Sequence, residues 1–341
     1  MEHEYTSGYA KKYIEKTLTS PYTTYKNQLI ATILKTLQVS CVWDLGGNVS
    51  GLIRQPGSLR VQLESRGIDY RSVDLVPEYF SGAFAQSLGV NSASIFPSIF
   101  GAVGDLQALP MASNSLESVV SADVIEHVPN PSRAMSEIKR VLQPNGVAII
   151  IVPSLYKLDA IHATHVEKKR YSSHKNKLTF LEWMDLIEKN GLTIDSKQSR
   201  PIGILSGLLY LAWLDSRFVP RKDSELTDEV FFSEAKLFRQ VKKAVSSFDS
   251  ETDNYLLENP TKIQPLMALL KTGNIKELLS GVKQIVADRL NQEQTAQFDE
   301  LLQTIESKKL ELESLSKIQE LAQNNSNLFL GNSVLFVVKN T

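Results

Sequence analysis

The chain has 341 residues, which is enough for one large domain or for a core domain that carries a second, smaller unit. Its 37 basic and 38 acidic side chains leave a formal charge of −1, so no overall field would draw it to phosphate backbones, and we expect no nucleic-acid partner. Cys41 is the only cysteine, which excludes an internal disulfide and a cysteine-based zinc cluster and suits a reducing, cytoplasmic location.

Residues 1–40 are rich in tyrosine and predict a helical cap in front of the core. The apolar residues that recur there at helical spacing are Leu29, Ile30, Ile33, Leu34 and Leu37. Five tyrosines either pack this cap or supply an aromatic wall for a cation: Tyr5, Tyr9, Tyr13, Tyr22 and Tyr25.

Between residues 41 and 202, strand and helix signals alternate, which predicts an α/β core whose parallel sheet has helices on both faces. The predicted strands are Cys41–Trp43, Tyr70–Val73, Ile99–Val103, Ser118–Ala122, Val147–Val152 and Leu192–Ser199. The predicted helices are Ser58–Arg66, Ser132–Leu142 and Thr179–Asn190.

Residues 203–327 carry helix signals only, and residues 328–341 carry one more strand, Ser333–Val338. Because a strand must pair, we expect this last one to return to the sheet beside Leu192–Ser199, which makes residues 203–327 a helical insertion. The predicted helices of the insertion are Ser224–Ser247, Pro260–Leu270, Ile275–Leu290 and Glu293–Ala322. The apolar run Ile202–Leu214 is too short for a membrane span and predicts a buried or lid helix, and no signal-peptide pattern precedes it.

Three acidic residues each lie at the end of a predicted strand. Asp44 opens a turn that contains Gly46 and Gly47, where the backbone can come close to a ligand. A carboxylate at the position of Asp74 can accept hydrogen bonds from both hydroxyls of a ribose, and Asp105 can accept one from an adenine amino group. Each acid taken alone also fits a plain turn or a helix cap.

The run that follows is more specific: LPMASNSLESVVSADVIEHVPNP over residues 109–131, continued by EIKRVLQPNG over residues 137–146. These motifs resemble those of class I S-adenosylmethionine (SAM)-dependent methyltransferases, in the order that the family has them. The resemblance covers residues 42–199 and the last strand. It implies a Rossmann-like, seven-stranded sheet with an antiparallel last strand, and SAM as the cofactor across the carboxyl ends of the first strands.

Carried over by position, the resemblance assigns the methionine and sugar region to Asp44 and Gly46, the ribose to Asp74, and adenine to Asp105 with Leu106. It places Ala122 and Asp123 beside the sulfonium. The complete expected cofactor-binding set is Asp44, Gly46, Gly47, Asn48, Asp74, Leu75, Asp105, Leu106, Ala122 and Asp123.

The glycine turn departs from the family pattern. Asn48 and Ser50 stand where the family has its second and third glycines, and an insertion around Leu52–Ser58 lengthens the distance from Asp44 to Asp74. Asparagine tolerates the left-handed conformation that glycine would adopt, so the turn can still form with a different shape.

The candidates for catalysis are His127, His174 and Tyr171. A base is needed only if the acceptor must lose a proton, because methyl transfer is an in-line displacement that depends mainly on positioning. His127 can accept a proton near neutral pH, or it can simply close the turn after its strand. His162-x-x-His165 lacks a matching set of further ligands, so we expect no metal. The cluster Lys168-Lys169-Arg170 is either solvated or binds an anionic acceptor.

The leading hypothesis is methyl transfer to an O, N or C atom of a small metabolite. A second hypothesis is a SAM-using enzyme that does not methylate, in which the amino group of SAM attacks its own aminobutyl carbon and methylthioadenosine is released. A third is a non-catalytic scaffold that binds a protein partner through the insertion. A nicotinamide-dependent dehydrogenase is a weaker rival, because Asn48 and Ser50 break the Gly-x-Gly-x-x-Gly spacing. The sequence does not indicate the oligomeric state.

Overall fold

The computed structural model describes residues 20–47, 56–77, 100–153, 175–176, 178–209, 237–238, 240–272, 275–306 and 333–341. The strands are β1 (Cys41–Leu45), β2 (Asp69–Asp74), β3 (Phe100–Val103), β4 (Leu116–Ala122), β5 (Leu142–Pro153), β6 (Thr193–Ile194), β7 (Arg200–Ile202) and β8 (Ser333–Lys339). The helices are α1 (Pro21–Thr36), α2 (Leu59–Glu64), α3 (Pro131–Val141), α4 (Phe180–Lys189), α5 (Asp249–Glu258), α6 (Pro260–Thr272), α7 (Ile275–Val286) and α8 (Gln292–Glu306). Residues 204–209 and 240–246 are also helical, and single 3₁₀ turns occur at Ile125–His127 and Ala287–Arg289.

Seven strands form one path in the sheet, in the order β3-β2-β1-β4-β5-β8-β6, and the three-residue β7 is the eighth strand. The pairs β3–β2, β2–β1, β1–β4 and β4–β5 are parallel. β6 pairs with β8 in antiparallel fashion, with Ile194 opposite Val338. The Rossmann-like α/β fold with an antiparallel last strand is therefore confirmed, and so is the pairing of the final strand with the segment after residue 192.

The central strands form because their sequences are aliphatic on both faces. In β5 the side chains from Ala148 to Val152 are completely buried, and in β8 the same holds from Val334 to Val338. Continuous apolar runs of this kind are typical of strands that have helices on both sides. Each valine, isoleucine, leucine or phenylalanine in these runs stabilises the fold by roughly 1.5–3 kcal/mol relative to an exposed one, which favours their burial in the centre of the sheet.

Side-chain caps determine where two of the covering helices begin. The Asn130 side chain accepts a hydrogen bond from the backbone N–H of Arg133 at 3.0 Å, and Pro131 follows at the first helical position of α3. Thr179 and Glu182 form a reciprocal capping box at the start of α4. The Thr179 cap was predicted from the sequence and the Asn130 cap was not, and the predicted starts of both helices differ from the observed ones by a single residue.

Several details of the prediction were wrong, among them the omission of the three-residue strand β7. The strand expected over residues 192–199 is only two residues long, because Asp195 then turns the chain: its carboxylate accepts from the N–H of Lys197 at 3.1 Å and its carbonyl from that of Ser199 at 2.9 Å. Helix α5 was also not predicted, because its sequence is mostly acidic and polar and shows no clear apolar periodicity. Its Leu256 is nevertheless fully buried.

The chain divides into two compact units. The first comprises the described residues within Met1–Pro153, Tyr171–Arg200 and Leu335–Thr341, and the second those within Ser154–Arg170 and Pro201–Val334. The second unit packs its helices around an apolar core that includes Leu256, Ile263, Leu278, Val282 and Phe298. Among the residues that the structure describes, no helix combines the length and the apolarity needed to cross a membrane.

Candidate cofactor site

The sheet order brings the predicted acidic residues to one edge. Asp44 lies near the carboxyl end of β1, where it is in register with Ser72 on one side and Val120 on the other. Asp74 ends β2 and Asp105 comes two residues after β3, while Asp123 directly follows β4. Because β3, β2, β1 and β4 are neighbouring parallel strands, their carboxyl ends form a continuous edge with a carboxylate at each tip.

Asp44 supports this edge from inside. It is only 4% exposed, and its Oδ2 accepts a hydrogen bond of 2.8 Å from the hydroxyl of Tyr70 on the neighbouring strand. A Cβ atom on Gly47 would lie 2.4 Å from Ser72 Oγ and 2.9 Å from both Asp44 Oδ2 and the Tyr70 hydroxyl. The turn can therefore pack onto this buried pair only because residue 47 has no side chain.

Burial changes the acidity of the pair. The pKa of Asp44 is raised to about 7, mainly because the carboxyl is removed from water. The hydrogen bond from Tyr70 lowers the pKa, the negative charge of Asp74 raises it, and the positive charge of Lys26 lowers it. Burial, together with the charge of Asp44, likewise raises the pKa of Tyr70 well above its usual value. The Asp44 carboxyl therefore gains or loses its proton near neutral pH.

Gly46 connects the tips of β1, β2 and β4. It has a φ angle of +82°, which favours glycine, and its N–H donates to the carbonyl of Val73 at 2.7 Å. A Cβ atom there would lie 2.6 Å from Cγ1 of Val124. The glycine turn thus lies directly against the residues that follow β4. Asn48, which belongs to the same predicted turn, lies outside the described residues.

Asp74 and Leu75 form the tip of β2. The carboxylate of Asp74 is 9% exposed and accepts from the backbone N–H of Val76 at 3.0 Å, which turns the chain back. Leu75 is 61% exposed, and Val103 at the end of β3 is 49% exposed. Large apolar side chains at this exposure, next to carboxylates, suit contact with the flat, apolar faces of a bound ligand.

Asp105 begins a tight turn after β3. Its Oδ1 accepts from the backbone N–H of Gln107 at 2.8 Å. Gln107 in turn accepts from the N–H of Asn130 at 2.9 Å through its side chain and from Arg133 Nε at 2.9 Å through its carbonyl. This network ties the tip of β3 to the start of α3. Leu106 is 7% exposed and packs inward, so Leu75 is the more accessible apolar side chain at this edge.

The tip of β4 holds the site's main ion pair. Asp123, which follows Ala122, has a φ angle of +57° and forms an ion pair with Lys26 of α1. The Lys26 side chain is 8% exposed and that of Asp123 is 40% exposed. Burial lowers the pKa of Lys26, but the charge of Asp123, with those of Tyr22 and Glu126, outweighs it, and the pKa is raised overall. Lys26 is therefore a fully charged ammonium at neutral pH.

Glu126 lies buried beside this pair. It is 1% exposed, and its Oε2 has no hydrogen-bond partner in the described structure. Burial and then the charge of Asp123 raise its pKa well above the usual value, against the effects of a backbone hydrogen bond and of Lys26. Burial thus disfavours the ionised form of this side chain.

His127 closes the 3₁₀ turn after β4. Its N–H donates to the carbonyl of Val124 at 2.9 Å, while its Nε2 lies 3.9 Å from Glu126 Oε1 and about a third of its side chain is exposed. The other two catalytic candidates, His174 and Tyr171, lie outside the described residues, as do His162, His165 and the basic cluster at residues 168–170. No group of three or more potential metal ligands occurs where side chains are described.

Sequence reasoning missed two residues of this edge. Lys26 falls on the apolar helical stripe with Ile30 and Ile33, and a charged residue in such a stripe was the available signal. Asn176 was the other: its side-chain amide donates to the carbonyl of Val128 at 2.7 Å and holds the turn that contains His127. Of the candidate tyrosines, Tyr25 is buried and Tyr22 half-buried on α1; the other three lie outside the described residues.

Residues 56–150 match the family described as "Methyltransferase domain". An uncharacterized methyltransferase of Mycobacterium sp. (strain JLS) is 33% identical over 112 residues, which cover 32% of this chain and 37% of the relative. A protein of Mycolicibacterium smegmatis named as a probable S-adenosylmethionine-dependent methyltransferase is 30% identical over 114 residues, covering 33% of this chain and 41% of the relative. The matches thus span well under half the length of these relatives.

Two solved structures resemble the chain at low identity. Haemonchus contortus phosphoethanolamine N-methyltransferase 2 in complex with S-adenosyl-L-methionine has a TM-score of 0.39 and 16% identity over 97% of this chain and 59% of that one. The [4+2]-cyclase SpnF has a TM-score of 0.40 and 12% identity over 92% of this chain and 80% of that one. Likenesses of this size have no bearing on activity or substrate.

Residues 56–150 are thus similar to methyltransferase domains, and the similar proteins include a probable S-adenosylmethionine-dependent methyltransferase, an enzyme type whose cofactor is SAM. The residues at the sheet edge fit that cofactor. Asp74 offers a carboxylate at the tip of β2, Leu75 leaves an apolar surface beside it, and Oδ1 of the half-exposed Asp123 has no partner among the described residues. Carboxylate acceptors next to an apolar surface are the groups that a cationic nucleoside requires.

Proposed function

We propose that the protein transfers the methyl group of SAM to an O, N or C atom of a small molecule. The observation that supports this most directly is the row of carboxylates at the tips of β3, β2, β1 and β4, next to a glycine turn that packs against Val124. This arrangement matches the order of the sequence motifs, and it offers separate acceptors for adenine, ribose and the sulfonium end of one ligand.

In this proposal each expected cofactor residue has a role that its position allows. Asp74 binds the ribose hydroxyls, Asp105 accepts from the adenine amino group, and Leu75 covers the ring more readily than the buried Leu106 does. Asp44 acts through the turn that contains Gly46 and Gly47, because it is buried against Tyr70. Asn48, Ala122 and Asp123 complete the site on the methionine side.

The acceptor side is proposed from the sequence and from one described residue. His127, His174 and Tyr171 are the candidates for accepting a proton if the acceptor has one to lose. The basic run Lys168-Lys169-Arg170 favours an acceptor that carries a carboxylate or phosphate group. We further propose that residues 203–327, inserted between a core of residues 41–202 and the final strand at residues 328–341, contribute to the choice of acceptor, and that residues 1–40 cap the site.

Product analysis tests the reaction. The protein is incubated with SAM carrying a labelled methyl group and with a pool of small metabolites, and the products are analysed by mass spectrometry. Methyl transfer predicts S-adenosylhomocysteine together with a labelled acceptor. Methylthioadenosine without any labelled acceptor would instead support the intramolecular cyclisation and contradict the proposal.

Binding tests the site itself. Asp74→Asn removes the charge from the proposed ribose acceptor, and we expect it to weaken S-adenosylhomocysteine binding in calorimetry by about tenfold or more, because charged hydrogen bonds are worth roughly 1.5–3 kcal/mol. Asp69→Asn, at the exposed start of the same strand, is the matched control. A wild-type protein that binds neither SAM nor S-adenosylhomocysteine would favour the scaffold hypothesis.

A further inference from the structure

The Lys26–Asp123 ion pair is incomplete as a structural contact. A lysine ammonium has three N–H donors, and Asp123 is the acceptor that the described residues provide for it. The Lys26 side chain is nevertheless only 8% exposed. A buried ammonium with donors to spare is costly unless a further anionic or polar group binds to it.

The two partners differ in exposure. The Asp123 side chain is 40% exposed, and its Oδ1 has no partner among the described residues, whereas Oδ2 is occupied by Lys26. Among the described residues, the pair thus has one negative oxygen without a partner and, beside it, an ammonium with a single acceptor. A ligand with an ammonium next to a carboxylate would complement both charges.

The surroundings keep Lys26 charged and in place. Its charge acts on Asp44 at the end of β1 as well as on Asp123 and Glu126 after β4, so it lies among the carboxyls of two neighbouring strand tips. The glycine turn after β1 approaches the same region, since the Cβ position of Gly46 is 2.6 Å from Val124, the residue after Asp123. The ion pair therefore lies beside the turn at which the cofactor is expected.

We propose that Lys26 and Asp123 together form a binding site for an amino-acid zwitterion, the methionyl end of SAM, in which Asp123 accepts from the α-ammonium and Lys26 donates to the α-carboxylate. This rests on SAM as the cofactor and makes Lys26, which no sequence motif identified, a residue that binds it. The α1 helix is then part of the cofactor site rather than only a cover for the sheet.

Ligands that differ at the amino-acid end test the proposal in the full-length protein. S-adenosylhomocysteine has both the ammonium and the carboxylate, its decarboxylated form keeps only the ammonium, and methylthioadenosine has neither. For the wild type, calorimetry should show S-adenosylhomocysteine binding at least about tenfold more tightly than either of the other two, as expected for loss of a charge-assisted hydrogen bond. Equal binding of S-adenosylhomocysteine and its decarboxylated form would overturn the proposal without the use of any variant.

Variants then locate the effect. Lys26→Met should weaken S-adenosylhomocysteine binding by about tenfold or more and change methylthioadenosine binding less than about twofold, while Lys26→Arg keeps most of the affinity. Lys35→Met, an exposed lysine on the same helix, should change neither. Equal weakening of both ligands by Lys26→Met would mean that Lys26 only holds α1 in place, and would overturn the proposal. If the wild type binds methylthioadenosine but not S-adenosylhomocysteine, the zwitterion site fails while the adenosine site stands; if it binds neither, both fail.

Discussion

The hydroxyl of Tyr70 donates to the carboxylate of Asp44 at 2.8 Å, joining β2 to β1 beneath the glycine turn. Both side chains are nearly inaccessible to water, at 3% and 4% exposure. Asp44 is therefore hydrogen-bonded within the sheet, and its main physical effect is to hold the glycine turn in place. Its protonation state matters for the fold as well as for a ligand.

Asp44 should make the stability of the protein depend on pH. Its pKa is raised from 3.8 to about 7, so the folded state retains a proton that the unfolded state releases. The contribution is fully present below the unfolded pKa and is lost as the pH rises through about 7. Between pH 5 and pH 8 the unfolding free energy of the wild type should therefore fall by about 2–3 kcal/mol more than that of Asp44→Asn.

Urea denaturation at the two pH values measures this difference. Asp69→Asn, on the exposed start of β2, is the control and should retain the wild-type pH dependence. If Asp44→Asn and wild type lost the same stability between pH 5 and pH 8, Asp44 would not have the raised pKa.

Gly47→Ala should destabilise the turn. Its Cβ would lie 2.4 Å from Ser72 Oγ and 2.9 Å from the Asp44 and Tyr70 oxygens, so the strand tips must separate to admit it. We expect a loss of about 1–3 kcal/mol in unfolding free energy and weaker S-adenosylhomocysteine binding. Gly67→Ala is the control: its φ is +75°, but its Cβ would meet no atom within 4 Å, so stability should fall by backbone strain alone with ligand affinity intact.

The parts of this fold that were predictable from sequence are those fixed by local patterns. The aliphatic run of β5 and the starts of α3 and α4 depend on near neighbours along the chain, so their positions could be predicted closely. The Lys26–Asp123 pair joins residues 97 positions apart, and no periodicity indicates which buried carboxylate a lysine will reach. Asn176 likewise acts through backbone carbonyls about 50 residues earlier, which leave no trace in residue type.

The motif segment at Leu109–Met111 should depend on Glu137. The carboxylate of Glu137 accepts from the backbone N–H of Leu109 at 2.8 Å and from Arg140, which donates in turn to the carbonyls of Leu109 and Met111. The pKa of Glu137 is lowered, mainly by the hydrogen bond from Arg140. Burial acts in the opposite direction, and the hydrogen bond from the Leu109 N–H lowers the pKa further. Its contribution is therefore present above the unfolded pKa and lost as the pH falls through the lowered one.

For Glu137→Gln we expect a modest loss of stability at pH 7, about 1 kcal/mol because the pair is partly exposed, which vanishes in acid. Hydrogen exchange offers the sharper measurement, since the Leu109 amide should exchange faster in the variant. Exposed Glu188 on α4 provides the matched control, Glu188→Gln. Unchanged protection of Leu109 in Glu137→Gln would show that the carboxylate does not hold this segment.

The second unit contains a buried acid pair whose members should respond oppositely to amide substitution. Asp253 accepts from the backbone N–H groups of Gly203 and Ile204, each at 2.7 Å, and so caps the helical residues 204–209. Asp249 accepts from the Ser206 hydroxyl at 2.7 Å, and its Oδ1 has no partner in the described structure. Burial, followed by repulsion from Asp253, raises the pKa of Asp249 to about 7, against the effects of Ser206 and Lys242.

Asp249→Asn should therefore raise the unfolding free energy relative to wild type by about 2–3 kcal/mol more at pH 8 than at pH 5, because the wild type loses stability from the unfolded pKa of 3.8 up to about 7. Asp253→Asn should lower the unfolding free energy at both pH values by roughly 1–3 kcal/mol. An asparagine side chain has one acceptor oxygen only, so its NH₂ group would face one of the two backbone N–H donors. Denaturant titrations at pH 5 and pH 8 compare the two variants directly. A loss of stability at pH 8 in Asp249→Asn as large as that in Asp253→Asn would mean that Asp249 acts as a hydrogen-bonded carboxylate rather than as the proton-holding member of the pair.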